Sequence, residues 1–101
     1  MRLTANQIHA IVDATRVLAG PDASVRLFGS RLNDDQAGGD IDLLVDCPRL
    51  VARPVWLAAQ ITARLQRALG DRRIDVLVLD PSMPVEPVHR VARSEGVVLR
   101  S

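Results

Sequence analysis

The sequence contains no lysine and no tyrosine, and it has one cysteine, one tryptophan and one phenylalanine. A single cysteine excludes an internal disulfide, and Cys47, beside Pro48 at the end of an apolar run, reads as a small buried filler. So few aromatics leave the interior to aliphatic side chains and to the twelve alanines. All thirteen basic residues are arginine, a bias with the look of codon composition rather than of function. The net charge of +1 lacks the strong basic field of a protein held to nucleic acid by phosphate contacts, so direct nucleic-acid binding is not expected. There is no basic-then-apolar leader, and the longest charge-free stretch, around "PVWLAAQITA", falls well short of the ~20 residues of a membrane span. A cytoplasmic protein without membrane contact is expected, built as a single domain over residues 1–101.

What is present alternates between helical and strand patterns. "TANQIHAIVDATRVLAG" opens on a capping box of Thr4 and Gln7. It then places Ile8, Ile11, Val12, Thr15 and Leu18 at helical spacing before Gly20 and Pro21. "SVRLFGS" reads as a short strand ending in a tight turn, and "RLNDDQAGG" as a polar loop. "DIDLLVD" is a strand apolar on both faces after its first residues, as in a central strand covered by helices. Pro54 suits the first position of a second helix, with Leu57, Ile61, Leu65 and Leu69 on one side up to Gly70. "RIDVLVLD" is another apolar strand. After "DPSMP" comes a short helix from about Glu86 to Glu95, expected to turn Val88, Val91 and Ala92 inward, and "VVLR" forms a last strand after Gly96. The order predicts an α/β (α+β) domain, a small mixed sheet of three to four strands flanked by helices on one side.

The aspartates carry the chemistry. Residues two apart in a strand project to the same face, so Asp40 and Asp42 point together while Ile41 and Leu43 point away. Close carboxylates repel, and a divalent cation between them removes that cost. Oxygen ligands without an accompanying His or Cys cluster favour Mg²⁺ or Mn²⁺ over zinc. If Asp75 lies on a neighbouring strand and faces the same way, three carboxylates converge. That suffices for a two-metal site, with ions ~3.5–4 Å apart clamping the oxygens of a phosphoryl displacement. The turn "GSR" completes such a site: Gly29 allows close approach of backbone to ligand, the Ser30 hydroxyl reaches a phosphate oxygen, and Arg31 adds a charged contact.

The segment "FGSRLNDDQAGGDIDLLVD", a Gly-Ser pair, nine residues and then Asp-x-Asp in an apolar strand, resembles the signature of the DNA polymerase β-type nucleotidyltransferase superfamily. "RIDVLVLD" matches the position of its third carboxylate, and "PVHRVARSEGVVL" is similar to the C-terminal segment of the minimal nucleotidyltransferases, antitoxins often encoded beside a HEPN-domain toxin. The resemblance covers nearly the whole chain. It implies the nucleotidyltransferase fold, with Gly29, Ser30 and Arg31 binding the triphosphate of ATP or another nucleoside triphosphate. It also implies that Asp40 and Asp42 bind two Mg²⁺ ions, Mn²⁺ being an alternative, and that Asp75 completes the triad and helps to activate an acceptor hydroxyl. The implied reaction is transfer of a nucleoside monophosphate, AMP from ATP, to a hydroxyl of the toxin, a tyrosine being expected, with pyrophosphate leaving.

Other residues have plainer readings. Asp46 and Asp80 end the two apolar strands as solvated carboxylates or helix caps; Asp34 and Asp35 belong to a solvated loop face, and His9 to an exposed helix surface. His89 beside Arg90 and Arg93, and the pair Arg72 and Arg73, read as solvated or packing residues, with contact to phosphate or a partner as the functional alternative. Trp56 is packing unless exposed, when it marks a binding surface. Larger enzymes of the superfamily add domains that grip the acceptor, so the acceptor here is expected from a partner, and homo- and hetero-oligomers are both compatible with that. Two alternatives accompany the enzymatic antitoxin: a non-catalytic module that masks its partner, and a small-molecule nucleotidyltransferase of the aminoglycoside-modifying kind.

Overall fold

A computed structural model describes residues 3–29, 40–70 and 72–100. Helix α1 spans Ala5–Ala19, strand β1 Ser24–Phe28, strand β2 Ile41–Asp46 and helix α2 Pro54–Leu69. They are followed by strand β3 Ile74–Leu79, helix α3 Pro87–Glu95 and strand β4 Val97–Arg100. The expected capping box starts α1: the Thr4 hydroxyl accepts from the Gln7 amide at 3.1 Å, and the Gln7 side chain accepts from the Thr4 amide at 2.9 Å. Pro54 opens α2, where its missing N–H costs nothing.

The sheet has the order β3-β2-β1-β4. Strand β1 runs antiparallel to both β2 and β4, whereas β2 and β3 are parallel, with α2 as the crossover that parallel pairing requires. Alternation along the strands divides the apolar residues between two faces. One carries Val25, Leu27, Ile41, Leu43, Val45 and Ile74 against Ile11, Ala14, Leu57, Ile61 and Leu65 of α1 and α2. On the other, Phe28, Leu44, Leu79 and Ala92 form a second, smaller cluster.

That second cluster corrects two expectations. Helices cover both faces rather than one, because α3 lies across the face opposite α1 and α2. Only Ala92 of α3 is buried, and Val88 and Val91, expected inward, are 45% and 47% exposed. Polar ties hold the helix instead: Arg93 donates from Nε and Nη2 to Asp46 at 3.0 and 2.8 Å, and Arg26 donates to the Arg93 carbonyl at 3.2 Å. Asp46 is therefore an ion-pair partner rather than a solvated carboxylate. At the following turn a Cβ on Gly96 would run into the Ala92 carbonyl, so only glycine joins α3 to β4 this closely.

Asp80 is buried, neither solvated nor a helix cap. Its carboxylate accepts from the Val51 amide at 2.7 Å, the Ser82 amide at 2.9 Å and the Ser82 hydroxyl at 2.6 Å, clamping the segment after β2 to the turn after β3. These donors, the Ser82 hydroxyl foremost, hold its carboxyl below the ordinary 3.8. A depressed carboxyl adds stability that is present above its unfolded value and lost as the pH falls through the folded one. Asp80→Asn is accordingly expected to be less stable than the parent in urea at neutral pH, with the gap closing as the pH drops below 3.8; a gap constant with pH would refute the assignment. Among the described residues, no helix is long and apolar enough to cross a membrane.

Candidate metal and nucleotide site

The sheet register assembles the site. Asp42 is the second residue of β2 and pairs with Asp75, the second residue of β3, so parallel pairing puts the two carboxylates side by side on one face. On the other flank Asp42 pairs with Phe28, the last residue of β1, so the chain leaves β1 beside the same carboxylate. Gly29 is the next residue. Its φ of +83° lies in the left-handed region, and a Cβ there would collide with the Asp42 carboxylate. Both the turn and the close approach therefore require glycine. Asp40 lies immediately before β2 and is exposed. Ser30, Arg31 and the rest of the segment 30–39, including Asp34 and Asp35, fall outside the described residues.

The electrostatics of Asp42 reflect this crowding. Partial burial, then the charge of Asp75 and a hydrogen bond with it, then the charge of Asp40, push the Asp42 carboxyl above the ordinary range of a carboxylate. Arg73 opposes the rise. Its Nε lies 3.3 Å from the Asp75 Oδ2, and its carbonyl accepts from the Ile41 amide at 3.0 Å, anchoring it where β2 and β3 both begin. The sequence held the signal for this contact, since Arg73 and Asp75 are two apart in an extended segment, the same spacing that drew attention to Asp40 and Asp42.

Among the described residues, no three acidic, His or Cys side chains are gathered closely enough to form a ready-made metal cage. Asp42 and Asp75 form a pair, with Asp40 close enough to act on Asp42 by its charge. Such a pair suits Mg²⁺, which is commonly held by one or two carboxylates and completes its octahedron with water and substrate phosphate. All the donors are hard oxygens, and Gly29 leaves the backbone tight against them, so the residues present fit the ion.

A search of solved structures finds a chain of the toxin–antitoxin complex MntA–HpeT, in a mutant with two aspartates changed to glutamates. The match has a TM-score of 0.67 at 20% identity, over 91% of this chain and 70% of that one. The two chains share a fold. The architecture, a mixed four-stranded sheet flanked by helices, is the α/β class expected from the sequence. No family model matches the chain, and no curated protein does.

The other candidate residues lie elsewhere or have structural work. His89 accepts from the Glu86 amide through Nδ1 at 2.9 Å, which caps α3. His9 is exposed on α1. Cys47 is buried, and burial, followed by the charges of Asp46 and Asp80, pushes its thiol up, which rules out a ready thiolate nucleophile. Trp56 sits near the start of α2, toward the end of β2 opposite the aspartates. It is 54% exposed, with the Arg53 guanidinium 5.5 Å from its ring centre.

Proposed function

We propose that this chain is a metal-dependent nucleotidyltransferase acting as an antitoxin, which moves AMP from ATP onto a hydroxyl of a cognate HEPN-domain toxin, a tyrosine being the expected acceptor. The observation that carries the reading is the pairing of Asp42 with Asp75 across β2 and β3, with Gly29 pressed against Asp42. The shared fold with a chain of a toxin–antitoxin complex supports a toxin as the partner.

In this reading Asp42 and Asp75, joined by Asp40, would hold divalent ions where β2 and β3 begin. When bound, the ions neutralise phosphate charge and polarise the α-phosphorus. Gly29, with Ser30 and Arg31 after it, binds the triphosphate and aligns it in line with the acceptor. The acceptor oxygen forms a bond to the α-phosphorus as the bridging bond to the β-phosphate breaks, and pyrophosphate leaves. Asp75, the more exposed member of the pair, receives the hydroxyl proton. Such a transfer asks the protein for position and charge neutralisation rather than for a covalent intermediate.

The test is transfer of label from [α-³²P]ATP to the co-purified partner. Label is expected on the partner only with Mg²⁺ or Mn²⁺, whereas metal-independent labelling, or none, would count against the reaction. The exposed Trp56 and Val55 at the start of α2, a surface fit for a partner, favour one further reading, a module that masks its partner without catalysis. Rescue from toxicity by the doubly substituted Asp40→Ala, Asp42→Ala chain would select it.

A further inference from the structure

The guanidinium beside Asp75 has no place in the reaction as written. Among the described residues, the ion pairs of Arg16, Arg49, Arg64 and Arg93 are with Asp13 and Asp22 and Asp46, away from the cluster, and only Arg73 pairs with one of its carboxylates. Among the described residues, Asp40, Asp42 and Asp75 face one arginine, so their cluster is anionic, with the positive charge on the Asp75 side. The backbone of Arg73 is fixed by its hydrogen bond to Ile41, but its side chain is 71% exposed and that of Asp75 49%. The side chain is thus tethered at its root, and its tip is held to Asp75 by an exposed ion pair.

We propose that Arg73 is a resident counter-cation of the carboxylate pair. It yields Asp75 to divalent ions and then turns its guanidinium to the phosphates of the incoming nucleotide. This rests on the nucleotidyltransferase reading of the site. An ion pair this exposed is worth at most about fivefold in an equilibrium constant, too little to keep a divalent cation away from two carboxylates. Once released, the guanidinium stands at the mouth of the site on a long stem, and its fork of donors matches phosphate oxygens. The same residue then opposes metal binding when nucleotide is absent and favours nucleotide binding when metal is present.

Opposite signs make the proposal testable by binding alone. Mn²⁺ is titrated into the parent, Arg73→Gln and Asp75→Asn without nucleotide, with free Mn²⁺ followed by electron paramagnetic resonance. A non-hydrolysable ATP analogue is then titrated calorimetrically at saturating Mg²⁺. Arg73→Gln is expected to bind Mn²⁺ about two- to fivefold more tightly and the analogue about tenfold more weakly, with Arg73→Lys recovering part of the nucleotide affinity. If Arg73→Gln leaves both affinities unchanged, or weakens both as a distorted site would, while Asp75→Asn still loses Mn²⁺, the role of Arg73 is overturned and the site stands. If the parent binds no Mn²⁺, or Asp75→Asn binds it equally well, the reading of the site falls and the proposal with it.

Discussion

Asp42→Asn is expected to melt at a higher temperature than the parent at neutral pH while losing the proposed nucleotidyl transfer. The two effects have one cause. The Asp42 carboxyl is raised above 3.8 by burial, by Asp75 and by Asp40. As the pH rises past 3.8 the unfolded chain ionises first, so the folded state loses stability until its own carboxyl has ionised. Asparagine keeps the shape and removes the charge, which relieves the repulsion. It also removes a charge from the proposed metal site, with an expected loss of roughly 10²–10³-fold in the proposed transfer. On the proposed reading Mg²⁺ should raise the melting temperature of the parent, as a ligand of the folded state does, and should do so far less for the variant. A variant that melts lower than the parent at pH 7, yet does so equally at pH 4, would show that Asp42 is a structural residue rather than a strained site residue.

Gly29→Ala is expected to damage fold and site together. The left-handed backbone costs a non-glycine residue about 1–2 kcal/mol, and the added methyl must also displace the Asp42 carboxylate. A total near ~2 kcal/mol corresponds to roughly 10 °C in melting temperature for a domain of this size. The displaced carboxylate should separate Gly29→Ala from a variant that only destabilises: Mn²⁺ affinity should fall at temperatures where circular dichroism shows the chain still folded. Retained Mn²⁺ affinity in the folded variant would mean that Gly29 serves the turn alone.

Local chemistry made most of the elements legible. The Thr4–Gln7 box, Pro54 and the glycines after α1 and α2 are read within a few residues of themselves, and the structure follows them closely. The site was legible to the same depth: alternation puts Asp42 on one face of its strand and Asp75 on one face of its own. No local rule says that β2 and β3 are adjacent, that they run parallel, or that their second residues are level. Those facts depend on the packing of α2 over Ile41, Leu43 and Ile74. Misreading of α3 had a similar origin. Its valines have helical spacing, but the short helix meets the sheet along a line narrow enough for Ala92 alone, and Arg93 and Arg26 fix its rotation through polar contacts that span dozens of residues. Arg73 reads from the sequence as solvated, with phosphate or partner contact as the alternative, and its side chain is exposed; that its Nε lies 3.3 Å from Asp75 at the edge of the carboxylate pair is visible only once β2 and β3 are placed side by side.

Strand β3 forms one border of the sheet, paired through β2 on one side only. A border strand frays more readily than one hydrogen-bonded on both sides, and amide exchange reports such fraying. An ion shared by Asp42 and Asp75 would rivet that border to the interior strand at its first rung, so loading the site should slow exchange at Asp75 and Val76 well before it affects β4. Occupancy would thereby be written into the breathing of the sheet's outermost strand.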